Sequence, residues 1–266
     1  MNGVYPIDRK FLKGRSKEWM RTAVPAAWLV ALVYLLATTL VSELVQAFLP
    51  VQRTMAEVEG AIAAGNAYQA QYILQSMFQG SQGVIIIFVM VLLGLYSTIV
   101  NYGYVSYSMG VVRGQDPGYG ELFSRFYMAG KIILAEALAY LFIFLWSLLL
   151  VIPGLIASYR YRMVPYILLD DPDCPVMEAF RRSKALMHGR KWELFLLDYS
   201  FILWLLGASI LTGVAGAIAY PVSVVVSIAC NLFLVPYQQL TFSQWYDAIR
   251  GQAQAARDQQ QQPPQY

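Results

Sequence analysis

The chain has 266 residues, of which 58% are hydrophobic and only 13% are charged, and its formal net charge is +3. Soluble domains carry about 25% charged residues, so this composition excludes an ordinary water-soluble domain. Five or six long apolar stretches predict an all-α, polytopic membrane protein, because a helix satisfies its own backbone hydrogen bonds in lipid.

The N-terminal segment, residues 1–22, is basic and amphipathic. Apolar and aromatic side chains, among them Phe11 and Trp19, accompany its cations. This pattern favours an interfacial helix on anionic lipid over a solvated leader, since each basic residue near the surface adds about 1 kcal/mol. The apolar stretch that follows is too long for a signal peptide, so we expect no cleavage. The six cations are Arg9, Lys10, Lys13, Arg15, Lys17 and Arg21.

Residues 23–250 are predicted to form a transmembrane domain of six helices. Five of the apolar stretches are long enough for a hydrocarbon core about 30 Å thick, and the fourth is shorter. The spans cover residues 23–49, 84–109, 130–152, 155–169, 192–219 and 222–245. The segments outside them are an outer loop, 50–83, inner connectors, 110–129 and 170–191, and a Gln-rich tail, 251–266, that we expect to be disordered.

The outer loop carries apolar side chains at helical spacing on both sides of Gly65 and Asn66. The pattern predicts one or two amphipathic helices. An arrangement against the outer face of the membrane and packing on neighbouring loops are equally compatible with it. The apolar positions are Met55, Val58 and Ile62 before the break, and Ala70, Ile73 and Met77 after it.

The distribution of Lys and Arg predicts that both termini lie in the cytosol. With six spans, the inner segments hold six cations in the leader, three in 110–131, seven in 159–191 and two in the tail, and only Arg53 lies outside. If the short fourth stretch did not cross, 9 cations would lie inside and 10 outside. Six spans are therefore favoured. Modification of Cys174 by an impermeant thiol reagent in intact cells would contradict them.

Two parts of the chain resemble each other in the order of their features. Each has an amphipathic segment that begins at a glutamate, an apolar run, a proline at the outer turn (Pro153 or Pro221) and a Val-Pro-Tyr on the return. From Glu121 and Glu178, the proline of the Val-Pro-Tyr lies 44 and 58 residues away, respectively. The pattern fits a parallel repeat of helical hairpins. A chance resemblance between apolar sequences fits it equally well.

Several polar side chains fall inside the predicted spans, where an arginine costs about 2.5–3.5 kcal/mol on insertion scales. Glu136 and Arg162 differ in depth by about 13 Å at 1.5 Å per residue, so their pairing is not secured. One interpretation is that Arg160 and Arg162 snorkel to cytosolic headgroups or bind backbone carbonyls. The other is a polar cavity, open to the cytosol and lined by both arginines, Glu136 and Asp198. Asn101 is predicted to form an interhelical hydrogen bond rather than to bind a substrate.

The second inner connector predicts an amphipathic helix in the inner headgroup layer. Asp173 is its expected N-cap, and Gly189 is expected to end it. An apolar stripe that includes Ala179 and Phe180 lies along one face, and a solvated linker is the alternative. The cations predicted to contact lipid headgroups are Arg181, Arg182, Lys184, Arg190 and Lys191.

The sequence contains no HExxH, GxSxG, Walker or dinucleotide-binding motif. Its single histidine, His188, and its two cysteines, Cys174 and Cys230, make neither a metal site nor a disulfide framework. The acidic run at 170–173 is interpreted as a helix stop and an N-cap rather than a cation site. We therefore expect no cofactor, no metal, no nucleic-acid partner and no enzymatic activity.

The part of the chain after residue 90 carries a family resemblance that is most specific between residues 153 and 204. Its residues are Pro153-Gly154, Tyr159, Tyr161, Tyr166, the segment 178–191 with Ser183-Lys184, Met187, Gly189 and Lys191, then Phe195, Trp204, Pro236-Tyr237 and Tyr246. With them, residues 90–247 resemble the domain-of-unknown-function 975 family of bacterial integral membrane proteins. More distantly, they are similar to the membrane domain attached to some glycerophosphodiester phosphodiesterases. The resemblance implies six membrane helices and supplies no activity and no catalytic residues.

Two functions fit these features. The first is a non-enzymatic accessory or scaffold protein of the bacterial cytoplasmic membrane, with the bilayer, its anionic headgroups, and a partner membrane protein or a second copy of the chain as its partners. The second is a transporter or permease for a small anionic solute or lipid headgroup, which would use Arg160 and Arg162. A hydrated cavity that reaches the two arginines would favour transport, and a dry, packed bundle would favour the scaffold.

Overall fold

The computed structural model describes residues 7–49 and 51–261, and all regular elements of these residues are helical. The all-α fold class is thus confirmed. A π-helical turn (Leu36–Leu40) and a 3-10 helix (Tyr119–Met128) supplement the α-helices. The α-helices are α1 (Arg9–Thr22), α2 (Ala27–Leu35), α3 (Val41–Ala47), α4 (Val51–Ala63), α5 (Ala67–Met77), α6 (Gly80–Val112), α7 (Ala129–Leu149), α8 (Val151–Tyr161), α9 (Val164–Asp170), α10 (Val176–Leu186), α11 (Lys191–Ile218) and α12 (Tyr220–Gln261).

Five helical segments within the described residues are long and apolar enough to cross a membrane. They correspond to the first, second, third, fifth and sixth predicted spans. Most of their apolar side chains point away from the protein, as a lipid-facing surface requires. The segments are Ala27–Ala47, Gly80–Val112, Tyr119–Leu149, Lys191–Ile218 and Val222–Asp258.

The predicted fourth span is not one continuous helix. It forms α8 and α9, with a break at Arg162 and Met163. Pro165 lies in the first turn of α9, where its missing N–H removes no helical hydrogen bond. The two helices nevertheless return to the end of the molecule from which α7 starts, because Lys131 Nζ in α7 donates to the Pro172 carbonyl beyond α9.

Two hairpins each turn at a single extended residue. Leu150 joins α7 to α8 with φ −166° and ψ 152°, and Ala219 joins α11 to α12 with φ −165° and ψ 144°. The prediction that Pro153 and Pro221 form these turns is wrong, since both lie in the first turn of the next helix, a position that proline tolerates. The two units therefore share a turn conformation. They differ on the return, where the Val-Pro-Tyr begins α9 in one unit and lies inside α12 in the other.

The outer loop forms two helices, α4 and α5, that pack on each other. Gly65, with φ +73°, and Asn66 separate them, and the Asn66 side chain accepts a hydrogen bond from Gln69 N to cap α5. Val58 and Ala70 are buried between the two helices. Of the one or two helices predicted here the structure forms two, and Ile73 packs against the buried residues between them, whereas Met55 and Ile62 are exposed.

One end of the molecule collects most of its charges, and we call it the basic end. It comprises residues 9–22, 110–131, 170–201 and 237–258. The opposite end, at Leu150 and Ala219, is the turn end. α1 lies across the basic end, with Leu12 buried in the main core and Thr241 Oγ1 donating to Ser16 Oγ at 3.1 Å. Packing against the bundle therefore anchors the basic leader.

The last helix is longer than the sequence predicts. Disorder is expected from Gly251, but α12 continues to Gln261. Arg190 Nη2 donates to Gln252 Oε1 at 2.6 Å and ties this part of α12 to the start of α11, and the alanines and glutamines there favour a helix. The prediction of disorder is wrong for this part of the tail, and residues 262–266 lie outside the described residues.

Candidate functional site

Arg162 reaches the carboxylate of Asp198. Its Nη2 lies 3.5 Å from Asp198 Oδ1, which joins the break between α8 and α9 to α11. The guanidinium also lies over the Phe242 ring of α12, 5.1 Å from its centroid. The pair is loose, because 45% of the Arg162 side chain is exposed. Two of the predicted polar residues are thus brought together.

Arg160 points in the opposite direction, towards the turn end. Its guanidinium carbon lies 5.7 Å from the centroid of the Trp146 ring on α7. Helical side chains lean towards the N-terminus of their helix, and the N-terminus of α8 is at the turn end. In the structure the Arg160 guanidinium is therefore directed away from the basic end, where a cation–π contact with Trp146 can stabilise its charge.

The other two candidates are each held by a tyrosine of a neighbouring helix. Tyr102 OH of α6 donates to Glu136 Oε1 of α7 at 3.0 Å. Asn101 Nδ2 of α6 donates to Tyr34 OH of α2 at 3.2 Å. The interhelical hydrogen bond predicted for Asn101 is confirmed, and Glu136 has the same role.

The five candidates make their side-chain contacts in different parts of the bundle. Their contacts involve α2, α6, α7, α8 and α11 at four separate places. Three cavities lined by described residues have volumes of about 470, 460 and 300 Å³, and none of the three includes any of the candidates. The cavity predicted from Arg160, Arg162, Glu136 and Asp198 stays a prediction. In the structure Arg162 contacts Asp198, whereas Arg160 and Glu136 contact other residues.

Asp170, at the end of α9, is the centre of a network that the sequence does not predict. Its carboxylate lies 2.7 Å from Arg113 Nη1 and 2.8 Å from Arg250 Nη1. It also accepts a hydrogen bond of 2.7 Å from Tyr246 OH. Arg113 contacts Asp247 at 2.6 Å, and its hydrogen bonds to Asp247 and then to Asp170 raise the pKa of Arg113 above its usual value. The network joins the ends of α6 and α9 to α12.

The acidic run that contains Asp170 has only part of its predicted role. α9 does end at Asp170, but Pro175 rather than Asp173 is the N-cap of α10. The carboxylates of Asp170 and Asp171 form ion pairs with arginines. A carboxylate whose partners lie 57 residues before it and 80 residues after it leaves no local pattern in the sequence.

A polar cavity of about 460 Å³ opens between the end of α6 and the 3-10 helix. Ser106 Oγ donates to Glu121 Oε1 at 2.5 Å and accepts from Arg125 Nη2 at 2.6 Å. Arg125 also pairs with Glu121. Its Nε is buried without a hydrogen-bond partner among the described residues. Because cation and anion pair with each other here, the cavity presents no surplus charge of either sign to a ligand.

The apolar stripe of α10 packs on the bundle. Phe180 meets the Phe142 and Tyr161 rings at centroid distances of 5.4 and 5.1 Å. Ser183 Oγ donates to the Arg160 carbonyl at 2.8 Å, two residues before the break between α8 and α9 begins at Arg162. The connector is therefore a docked helix, and its predicted position in the headgroup layer depends on its opposite face.

That opposite face carries cations that are partly neutralised within the protein. Arg182 lies 2.9 Å from Asp171 and 3.2 Å from Glu178, and these hydrogen bonds raise the pKa of Arg182. Arg181 pairs with Glu178 as well. Such exposed pairs add about 0–1 kcal/mol each, and the contact of these two arginines with lipid headgroups stays a prediction.

Three further cations were predicted to contact headgroups. Arg190 is 7% exposed and donates to Gln252, so the headgroup prediction is wrong for this residue. Its burial follows from its position at the start of α11, under the extended part of α12. Lys184 is exposed and Lys191 is half-buried. Their contact with lipid stays a prediction.

Long apolar helices whose polar side chains are held between neighbours define an integral, polytopic helical membrane protein. Residues 147–253, from the end of α7 into α12, match a family model described as "Protein of unknown function (DUF975)". The match covers less than half of the chain and supports its resemblance to that family. No curated protein and no solved structure matches the chain. The similarity to the membrane domain of glycerophosphodiester phosphodiesterases stays a prediction.

Proposed function

We propose that this membrane protein is a non-enzymatic accessory or scaffold protein of a bacterial cytoplasmic membrane. The observation that carries the proposal is the use of its intramembrane polar groups. Glu136 of α7 accepts a hydrogen bond from Tyr102 of α6, and Asn101 of α6 donates one to Tyr34 of α2. A transport path or a catalytic centre keeps such groups open to a ligand, whereas these groups fasten helices to each other.

The α4–α5 hairpin supports a role in assembly. Tyr68 and Tyr72, four residues apart on α5, are 83% and 68% exposed. Phe48 and Phe78, which flank the hairpin, are also exposed. Aromatic side chains are enriched at protein interfaces. We therefore assign to this hairpin the contact with a partner membrane protein or a second copy of the chain.

The packing around Glu136 gives a direct test. In a chain with Cys174→Ser and Cys230→Ser, we expect Glu136→Cys to react with a small charged thiol reagent at least about tenfold more slowly than Lys184→Cys, because access controls the rate. Lys184 is the matched control, since it is exposed on α10. The measurement is the labelling rate in detergent micelles. Equal rates would reveal a water-filled cavity and contradict the scaffold proposal.

A transporter or permease for a small anionic solute is the alternative function. The loose pair between Arg162 and Asp198 is the observation in its favour. Asp198→Cys in the same cysteine-free background separates the two functions. The scaffold proposal expects Asp198→Cys to react as slowly as Glu136→Cys, and a solute path expects it to react as fast as Lys184→Cys.

We further propose that the basic end faces the cytosol, which the excess of Lys and Arg at this end supports. The native Cys174 is a poor reporter of this orientation. It is 3% exposed, and burial raises the pKa of its thiol, so it reacts slowly on either side of the membrane. An exposed position on α10 is needed in its place.

In intact cells, Lys184→Cys in the cysteine-free background is expected to resist an impermeant thiol reagent, and Tyr68→Cys on the outer hairpin is expected to react. Permeabilised cells should label both positions. The readout is a mass shift of the purified protein. Labelling of Lys184→Cys but not of Tyr68→Cys in intact cells would reverse the proposed orientation.

A further inference from the structure

The cavity of about 470 Å³ lies between α1, α2 and α12, beside the basic end. Its walls are apolar, and its two charged residues, Lys17 and Arg21, both come from α1 and are both exposed. A smaller cavity of about 300 Å³ next to it shares these two cations. The apolar lining residues of the larger cavity are Met20, Trp28, Ala229, Leu232 and Phe233.

This groove runs from α1 towards the turn end, along two candidate membrane spans. Lys17 Nζ lies 5.7 Å from the centroid of the Tyr237 ring, which fixes the level of α1 on α12. Ala229 lies eight residues closer to the turn end on the same helix, about 12 Å deeper at 1.5 Å per residue. Trp28 stands near the start of α2, at the level where aromatic side chains meet headgroups. The cations at the mouth match the anionic headgroup of a phospholipid, and the apolar wall below them matches an acyl chain.

The positive charges at the mouth of the groove belong to a row of cations on α1 that have no carboxylate partner among the described residues. Arg9, Lys13, Lys17 and Arg21 recur every four residues and so share one side of α1. Arg9 and Lys13 each reach a backbone carbonyl of α11 at 3.4 Å. Within the described ranges, no carboxylate forms an ion pair with any of the four. Burial, with repulsion from Arg9 and Lys17, lowers the pKa of Lys13, as expected for a row that lacks an anion.

We propose that this groove binds one anionic phospholipid, with its phosphate beside Lys17 and Arg21 and an acyl chain along the apolar wall of α2 and α12. The inference deepens the proposed function, on which it rests, by giving the accessory protein a specific lipid partner. Glu18 lines the smaller cavity together with the two cations, so we place the phosphate in the larger cavity, which has no carboxylate among its described lining residues. Each of two cations at headgroup level strengthens binding of an anionic lipid about fivefold.

Trp28 reports on the groove directly, because a brominated acyl chain that enters it quenches indole fluorescence. The purified chain is placed in bilayers that mix phosphatidylglycerol with phosphatidylcholine, one of which is brominated. Subtraction of the Trp28→Phe signal isolates Trp28 from the other tryptophans. We expect phosphatidylglycerol to be preferred about 30-fold at this site, and Lys17→Gln combined with Arg21→Gln to abolish the preference.

The matched control is Lys10→Gln combined with Arg15→Gln, which removes the same charge from α1 away from the groove. It is expected to keep the preference within about threefold. A preference that is absent in the native chain, or lost equally in the control, overturns the proposal. If the Lys17–Arg21 variant does not fold, Ala229→Phe fills the groove without changing charge and must weaken the quenching of Trp28. Because lipid composition is set in the bilayer, these results are independent of the Glu136→Cys labelling that tests the accessory role.

Discussion

Replacement of Asp170 by alanine is expected to lower the free energy of unfolding by about 3 kcal/mol. The Asp170 side chain is 10% exposed, and it contacts Arg113 and Arg250 as well as Tyr246 OH. Removal of one partner from a buried ion pair costs about 3–5 kcal/mol, because the remaining charge is left without its anion. We expect a loss at the lower end of this range, because Arg113 retains its ion pair with Asp247 and both arginines are partly exposed to water.

The measurement is unfolding of the purified protein in dodecylmaltoside micelles as SDS is added, followed by circular dichroism. Asp171→Ala is the matched control. Asp171 pairs with Arg182, and both side chains are 44% exposed, so we expect a loss of at most about 0.5 kcal/mol. Asp170→Asn keeps an acceptor for Tyr246 and should fall between the two. Equal losses for Asp170→Ala and Asp171→Ala would contradict the central role of Asp170.

The class of the fold could be predicted from the sequence because the bilayer imposes a local requirement. Each continuous helix needs about 20 apolar residues to cross, and five segments within the described residues have them. The fourth predicted span is not governed by this requirement, because it is shorter and does not form one continuous helix. α9 is buried by protein on most of its surface, so its neighbours rather than its own apolar length decide where the helix breaks, at Arg162.

The charge pairs between helices could not be predicted, because they depend on how the helices are arranged around each other. Hydropathy does not encode that arrangement, and Arg162 finds Asp198 only when α8 packs beside α11. Depth along a helix axis was more informative. Counting residues from the turn placed Glu136 and Arg162 at depths that differ by about 13 Å, and the two side chains do not pair in the structure. The direction of Arg160 also follows from helix polarity, once α8 is known to start at the turn end.

Gly103 of α6 lies so close to the 3-10 helix that no side chain fits between them. A Cβ built on Gly103 would lie 2.0 Å from the carbonyl oxygen of Leu122 and 2.5 Å from its carbonyl carbon. Because backbone atoms occupy the space, no change of rotamer relieves the overlap. Gly103→Ala is therefore expected to push the 3-10 helix away from α6 and to lower the free energy of unfolding by about 3 kcal/mol.

Gly94 on the same helix provides the control, since a Cβ there meets nothing within 4 Å. Gly94→Ala should be neutral or stabilising by up to about 1 kcal/mol, because alanine favours a helix over glycine. A loss for Gly103→Ala no larger than that for Gly94→Ala would contradict the close contact.

Ser106→Ala separates the effect of the backbone overlap from the effect of losing the polar contacts beside it. It removes the hydrogen bond to Glu121 but leaves the backbones in place, so it should cost only about 1 kcal/mol. A cost for Gly103→Ala well above that value would locate most of the stabilisation in the close approach of the two helices rather than in the polar contacts beside it.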